Sequence, residues 1–124
     1  VALGPEVMPF YTRDDTFAHE IEQSGRVSHD PVWRLPLWEG YDTMLDSRIA
    51  DVNHISSSPM AGSVIAALFL ARFVPTEQAW AHFDVYGWNI KSRSGRPIGG
   101  EATALRAVFT YLERHYEQLQ KPTQ

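Results

Sequence analysis

The run Trp80-Ala81-His82-Phe83-Asp84-Val85-Tyr86-Gly87 constrains the fold of this chain more than any other stretch. It is mostly apolar, rich in aromatic residues, and too short for an amphipathic helix, so it predicts a strand. A nearly continuous apolar strand is typical of the centre of a parallel sheet that helices cover on both faces. The run therefore predicts an α/β fold with residues 80–87 as its central strand. Ligands of such folds bind beyond the carboxyl ends of strands, so residues 86–96 are the first place to look for a site.

Residues 61–74 predict a helix that must be covered on every side. The stretch has hardly any polar residue before Arg72, and Pro75 stops it. A helix that is apolar all round belongs in the interior of a protein. The small side chains of Ala66 and Ala67 would let neighbouring backbones approach closely.

The rest of the chain predicts three helices with one apolar stripe each. The first begins at Thr12, which can cap it, and ends near Gly25. The second covers residues 39–48, and the third runs from Glu101 to about Leu119. The stripe of the third helix comprises Leu105, Val108, Phe109, Leu112, Tyr116 and Leu119.

These elements cannot cover both helix 61–74 and the strand predicted at residues 80–87, which is apolar on both faces. Val1-Ala2-Leu3 reads only as the remnant of a strand, and parallel strands need partners to satisfy their backbone groups. The missing cover must come from residues outside this sequence or from another subunit. The chain also opens at Val1 without an initiator Met, straight into what reads as the end of a strand, which predicts that it was cut from something longer. The uncovered helix 61–74 and the unpaired strand edges predict that the isolated piece self-associates.

Length, charge and cysteine content bound the class of protein. With 124 residues the chain suits one domain, and its formal net charge of −4 argues against nucleic acid or an anionic membrane as partner. No apolar run reaches the roughly 18 residues that a membrane span needs. The absence of cysteine excludes a disulfide framework and a thiolate metal site, which fits a reducing, cytoplasmic compartment.

Two groups of residues invite a chemical interpretation. His82 and Asp84 share a strand face and could act as metal ligands or as an acid–base pair. Because a zinc site needs three or four ligands, a buried, hydrogen-bonded pair is the better interpretation. Arg34 lies between Trp33 and Trp38. It could clamp an anion between indoles, although a structural role, capping a carbonyl or pairing with a carboxylate, fits better.

Two loops have weaker signals. Ser56-Ser57-Ser58 precedes a helix and could hold an anion at free N–H groups, but serines there are more often caps. Gly95-Arg96-Pro97-Ile98-Gly99-Gly100 lacks the Lys-Ser/Thr of a phosphate-binding loop, so a solvated turn is favoured. The residues by themselves indicate an α/β fragment without a self-sufficient active site.

Several of these stretches, in order and in register, resemble the leucyl (cytosol) aminopeptidase family. The matching stretches are Val1-Ala2-Leu3-Gly4, Val32-Trp33-Arg34-Leu35-Pro36-Leu37, Ala50-Asp51-Val52-Asn53-His54-Ile55, Ala61-Gly62 with Ala66-Ala67-Leu68-Phe69-Leu70, and Trp80-Ala81-His82-Phe83-Asp84. The resemblance implies that residues 1–124 are the C-terminal portion of one catalytic domain. Its fold would be α/β, with a partial mixed sheet flanked by helices.

The family resemblance also implies an activity. Members are exopeptidases that remove N-terminal residues from peptides with two divalent metal ions, zinc or manganese among them, and they assemble as hexamers. The family's metal ligands, which include an Asp-x-Glu-Gly-Arg motif, lie upstream of this chain, so the chain alone is expected to bind no metal, to supply no catalytic residue and to be inactive. Its partners would be the remainder of the domain and peptide N-termini.

Three positions match residues that line the family's substrate cleft. Ile55 corresponds to a residue that lines the pocket for the side chain after the scissile bond. Tyr86 and Asn89 correspond to residues that line the pocket for the N-terminal side chain. The family usually has a small residue where Tyr86 stands, and glycine where Ser56 or Ser57 stands, which suggests a divergent branch with a reshaped first pocket. The alternative is a non-catalytic binding or interaction domain that reuses the fold.

Overall fold

The computed structural model describes residues 2–46 and 60–120. Their elements are β1 (Met8–Tyr11), α1 (Asp15–Val27), β2 (Val32–Arg34), a 3-10 helix (Glu39–Leu45), α2 (Gly62–Ala71), β3 (His82–Phe83), β4 (Trp88–Asn89), β5 (Gly99–Gly100) and α3 (Leu105–Gln120). None of the helices in these residues combines the length and the apolar character needed to cross a bilayer.

Strand β1 lies at the centre of a three-stranded mixed sheet in the order β2-β1-β3. It runs parallel to β2, with Met8 opposite Val32, and antiparallel to β3, with Phe10 opposite Phe83. A second, two-stranded sheet pairs β4 with β5. The α/β class and the partial mixed sheet are therefore confirmed.

The prediction that residues 80–87 form a central parallel strand is wrong for the part of the chain described. Only His82–Phe83 is a strand, and it is antiparallel at an edge of the sheet. Gly4, Pro5 and Pro9 are residues typical of a loop, but the segment Met8–Tyr11 is the central strand, and the carbonyl of Pro9 accepts the N–H of Asp84 at 3.0 Å. Residues 2–6 form a turn rather than the end of a strand.

Helix α1 packs on β2 through a glycine. Asp14, not Thr12, caps the helix, because its Oδ1 accepts the N–H of Phe17 at 2.9 Å. The helix also continues beyond Gly25 to Val27. A Cβ at Gly25 would lie 2.8 Å from the carbonyl oxygen of Asp30, so this glycine permits close approach and does not end the helix.

Helix α3 begins where a distant carboxylate caps it. Asp30, which is 2% exposed, accepts the N–H groups of Ala104, Arg106 and Ala107 at 3.1, 2.9 and 3.2 Å. Ala104 has a left-handed φ of 65°, so the helix starts at Leu105 rather than at the predicted Glu101. The segment between α1 and β2 thus supplies the N-terminal cap of α3.

The face of α3 that packs inward differs from the predicted stripe. Ala104, Ala107, Val108 and Tyr111 join the core with Phe10, Ile21 and the other residues of β1 and α1. The predicted stripe residues other than Val108 are exposed: Leu105 60%, Phe109 61%, Leu112 43%, Tyr116 60% and Leu119 68%. The sequence periodicity located the helix but not its inner face, because small alanines make the closest contacts.

Helix α2 forms a second core with the 3-10 helix. Leu45, Ile65 and Leu68 are buried together, and Arg72 binds Asp42 through two side-chain hydrogen bonds of 3.1 and 2.7 Å. The segment predicted as an amphipathic helix over 39–48 is thus a 3-10 helix as far as residue 45. Leu70 and Phe73 remain 41% and 67% exposed, so described residues do not cover this segment on all sides.

Candidate substrate-cleft wall

A groove of about 450 Å³ lies where the chain leaves β3. The segment that leads into β1 forms one wall, and the segment after β3 forms the other. Its lining includes Pro5, Met8, Pro9, Asp84, Tyr86 and Ile90. A mostly apolar wall with one carboxylate is suited to an apolar or amphipathic side chain of a ligand.

The backbone holds Tyr86 in place and leaves its side chain exposed. The N–H of Tyr86 contacts the sulfur of Met8 at 3.4 Å, next to the bond between Asp84 and Pro9. The side chain itself is 59% exposed. The structure therefore brings the predicted site residue Tyr86 to the groove.

Gly87 turns the chain immediately after Tyr86. Its φ of 69° lies in the left-handed region, which favours glycine. Its carbonyl accepts the N–H of Glu101 at 3.0 Å, which ties the turn to the segment before α3. The position of the Tyr86 backbone is thus fixed from both sides.

Asn89 is buried and closes the following loop. Its side-chain amide donates to the carbonyls of Arg96 and Pro97, both at 2.8 Å, and the residue is 4% exposed. Both amide hydrogens are consumed by the loop, and Asn89 does not belong to the groove lining among the residues described. A direct contact between Asn89 and substrate stays a prediction.

Charged residues fasten the same loop to the rest of the fold. Arg96 forms an ion pair of 3.0 Å with Glu101, whose side chain is 9% exposed, and donates to the carbonyl of His29 at 2.8 Å. Arg93 and Arg96 exchange two backbone hydrogen bonds of 2.8 and 2.9 Å. The turn interpretation holds only between Arg93 and Arg96, because Gly99–Gly100 is strand β5 and both arginines serve structural contacts.

His82 and Asp84 do not form the hydrogen-bonded pair that the sequence suggested. The ring of His82 stacks on Tyr11 with 6.1 Å between centroids, and its Nε2 is buried without a hydrogen-bond partner, whereas Asp84 is exposed. Burial lowers the pKa of His82 below its ordinary value of 6.5, and the charge of Asp84 opposes this effect. The two residues share only this electrostatic interaction.

Tyr11 connects the sheet to α2 beneath this ring. Its hydroxyl donates to Oγ of Ser63 at 2.8 Å, and the residue is fully buried. Burial raises the pKa of Tyr11, while the hydrogen bond to Ser63 acts in the opposite direction. The phenol is therefore a neutral structural contact.

Arg34 has the structural role that the sequence favoured. Its guanidinium forms a 2.6 Å ion pair with Asp15 and donates to the carbonyl of Thr12 at 3.0 Å. Trp33 and Trp38 are 54% and 60% exposed.

The remaining predicted site elements cannot be placed. Ile55 and Ser56-Ser57-Ser58 lie outside the described residues. Across residues 2–46 and 60–120, no three His, Asp or Glu side chains converge into a set that could hold a metal ion. The described residues therefore do not fit a metal centre of their own, and no reaction step through a metal can be derived from them.

Comparison with known proteins identifies a consistent set of relatives. Residues 1–109 match the model of the cytosol aminopeptidase family, catalytic domain. The chain is 39% identical over 115 residues to a probable cytosol aminopeptidase of Chlorobium phaeobacteroides, covering 92% of this chain and 23% of that protein. It is 43% identical over 103 residues to a probable cytosol aminopeptidase of Shewanella denitrificans, covering 79% and 20%.

A solved structure agrees with these sequence matches. The crystal structure of a cytosol aminopeptidase from Coxiella burnetii superimposes with a TM-score of 0.88 at 46% identity, over 94% of this chain and 25% of that one. The chain thus spans about a quarter of the length of the relatives that it matches. The family resemblance of the sequence is confirmed, and the chain belongs to the cytosol aminopeptidase family, as a portion of its catalytic domain.

Proposed function

We propose that this chain is part of an exopeptidase that hydrolyses N-terminal residues from peptides, and that it supplies one wall of the substrate cleft. The observation that carries the proposal is the groove beside Tyr86, at the end of β3, in a chain whose first 109 residues match the catalytic domain of a peptidase family. Apolar concave surfaces with few polar groups are the usual form of a side-chain pocket.

The finer features follow from the family. We infer that the whole protein depends on two divalent ions, zinc or manganese, which residues other than those described here would hold. We further infer that it is a cytoplasmic hexamer and that the 124-residue chain alone is inactive. The remainder of the catalytic domain is then an obligatory partner of this chain.

Within that enzyme, the residues described here would bind and orient substrate. The Tyr86 side chain would limit the size of the N-terminal side chain that enters the groove. Gly87 and Asn89 would hold the Tyr86 loop at a fixed distance from β1, through the bonds to Glu101, Arg96 and Pro97. Ile55 would line the neighbouring pocket, for the residue after the scissile bond.

The activity is tested by comparing two preparations. The purified chain and a whole protein that contains it are assayed on an aminoacyl-nitroanilide with added manganese or zinc. Turnover is expected from the whole protein alone, and turnover by the pure chain would contradict its inactivity. Reading the gene upstream of Val1 tests the non-catalytic alternative: an Asp-x-Glu-Gly-Arg motif supports the enzyme, and a stop codon or an unrelated domain supports a binding module.

The role of Tyr86 predicts a change of specificity. Replacing Tyr86 with alanine in the whole protein should raise kcat/KM for leucyl and phenylalanyl substrates relative to alanyl ones by about tenfold, since one pocket contact is worth on the order of 1–3 kcal/mol. Trp88→Ala is the matched control, because Trp88 is similarly exposed (51%) but lies outside the groove lining. Equal effects of the two substitutions on the substrate ratio would refute the role of Tyr86.

A further inference from the structure

Arg96 joins two segments that meet at the start of α3. Its guanidinium pairs with the carboxylate of Glu101 at 3.0 Å and donates to the carbonyl of His29 at 2.8 Å. The side chains of Arg96 and Glu101 are 23% and 9% exposed, so solvent screens this ion pair only weakly. His29 directly precedes Asp30, the residue that caps α3. Arg96 therefore ties the loop between β4 and β5 to the cap of that helix.

Both members of this ion pair are connected to the turn after Tyr86. The N–H of Glu101 donates to the carbonyl of Gly87, the residue next to Tyr86, at 3.0 Å. The carbonyl of Arg96 accepts the side-chain amide of Asn89 at 2.8 Å, and Asn89 is 4% exposed. A displacement of Glu101 or of Arg96 is thus transmitted to the backbone within three residues of Tyr86.

Arg93, the other arginine of this loop, is the weaker anchor. It pairs with Glu6 at 3.3 Å, and the side chain of Glu6 is 61% exposed. An ion pair with an exposed partner holds a loop only weakly, because solvent competes for its charges. Breaking a buried ion pair is more disruptive, since it leaves an uncompensated charge in the interior. Of the two arginines, Arg96 therefore contributes more to the position of the loop.

We propose that Arg96 is a positioning residue that holds the Tyr86 side chain in the substrate groove. It acts through Glu101 and Gly87, because Arg96 is not among the described residues that line the groove. The inference rests on the proposed function, in which Tyr86 limits the size of the N-terminal side chain. Loss of Arg96 releases the turn and lets the phenol ring give way to larger side chains.

The first test measures substrate preference in a whole protein that contains this chain. Arg96→Gln is expected to raise kcat/KM for leucyl relative to alanyl substrates by about threefold, less than Tyr86→Ala does, because the phenol ring is released but not removed. The gain should appear as a lower KM for the leucyl substrate, with kcat unchanged. Turnover with an unaltered substrate ratio in Arg96→Gln would overturn the inference. Absence of turnover by the unsubstituted protein would instead contradict the proposed function.

A double variant separates positioning from a general loosening of the fold. In the Tyr86→Ala protein, Arg96→Gln should leave the substrate ratio unchanged, because no phenol ring remains to be held. A further change of the same size would show that Arg96 acts by another route, and would overturn the inference. Arg96→Lys keeps the charge beside Glu101 but lacks the planar fork that reaches two acceptors, so its ratio should lie between those of the native and Arg96→Gln proteins.

Arg34→Gln is the matched control. Arg34 likewise combines an ion pair, with Asp15 at 2.6 Å, and a hydrogen bond to a carbonyl, that of Thr12 at 3.0 Å. Neither partner is among the described residues of the groove lining. Arg34→Gln should therefore leave the substrate ratio unchanged, and a shift equal to that of Arg96→Gln would overturn the inference.

Amide hydrogen exchange of the whole protein supplies a readout that needs no substrate. Exchange in residues 87–101 is expected to be faster in Arg96→Gln and unchanged in Arg34→Gln, because the bond from Glu101 to Gly87 opens more often. Equal exchange of this segment in the native, Arg96→Gln and Arg34→Gln proteins would overturn the inference. If Arg96→Gln does not fold, Glu101→Gln takes its place with the same expected results, because it removes the charge of the pair and keeps the size of the side chain.

Discussion

Two buried polar side chains, Asp30 and Asn89, position the segments around the groove. Each satisfies backbone groups that would otherwise lie unpaired in the interior: Asp30 accepts three N–H groups of α3, and Asn89 donates to two carbonyls of its loop. A buried group that loses such a partner costs about 1–3 kcal/mol. In the structure these contacts are structural, whereas the family resemblance predicted Asn89 as a residue of the substrate cleft.

Asp30→Asn is expected to lower the free energy of unfolding by about 1–3 kcal/mol, because a neutral amide cannot accept three N–H groups as a carboxylate does. Urea unfolding measures the change. Asp15→Asn is the control: the side chain of Asp15 is 90% exposed, and its pair with Arg34 should be worth less than about 1 kcal/mol. Equal losses in the two variants would contradict the role of Asp30.

His82 predicts a pH dependence of stability. Because burial lowers its pKa in the folded state, the unfolded chain binds the proton first as pH falls through 6.5. The unfolding free energy should therefore decrease below pH 6.5, level off below the folded pKa, and be unaffected by this group at higher pH. Urea titrations of the native protein and His82→Gln should show a difference that changes across this range, and a constant difference would contradict the prediction.

At the scale of elements, the contact between α1 and β2 depends on the absence of a side chain at Gly25. A Cβ there would also lie 3.1 Å from Cγ2 of Val32, in addition to the close carbonyl of Asp30. Sequence periodicity gave this position no role beyond ending the helix. How closely the backbone of Gly25 approaches Asp30 and Val32 depends on the packing of α1 against β2, which local sequence pattern does not encode.

Gly25→Ala and Gly62→Ala should have opposite effects. Alanine at Gly25 gains about 1 kcal/mol of helix propensity but pushes α1 away from the backbone of Asp30 and Val32. Overpacking of this kind costs about 1–3 kcal/mol, so a net loss of stability is expected. At Gly62, in the first turn of α2, a Cβ has no neighbour within 4 Å, so alanine should stabilise the protein by up to about 1 kcal/mol. Thermal unfolding of both variants provides the comparison, and stabilisation by both would refute the packing argument.

At the scale of the molecule, the sequence predicted the class, the three α-helices and the family, but not the order of strands. Strong periodicity and apolar runs located α1, α2 and α3 to within a few residues. Strand β1 was missed because Pro9 within it and Gly4-Pro5 before it are local signals of a loop, while tertiary pairing makes it central. The groove was predicted at Tyr86, whereas the burial of Asn89 depends on carbonyls seven and eight residues away in a folded loop.

Within residues 2–46 and 60–120 there are two apolar cores, one of β1, β2, α1 and α3 and one of α2 with the 3-10 helix. Among the described residues, few polar contacts link the two cores. Tyr11 binds Ser63, and Arg13 donates to the carbonyl of Ala71 at 2.9 Å while its guanidinium lies 5.9 Å from the ring of Trp80. The second core is therefore expected to open separately from the first.

Arg13→Ala should uncouple α2 from the sheet. The expected result is faster amide hydrogen exchange in α2, with exchange in α1 and α3 unchanged, because the lost hydrogen bonds cap the end of α2 alone. Arg26→Ala, at an exposed position of α1, is the control. Uniform acceleration in all three helices would show that the two cores open together.

The cap that Asp30 places on α3 also makes the order of synthesis matter. The carboxylate and the first amide that it binds are 74 residues apart, so during translation Asp30 is made long before its partners exist. Until α3 has formed, the Asp30 carboxylate lacks the three N–H groups that make its burial favourable, so a fold that buried it earlier would carry an unpaired charge at a large cost in free energy. Docking of α3 and burial of Asp30 are therefore expected to occur together rather than one after the other.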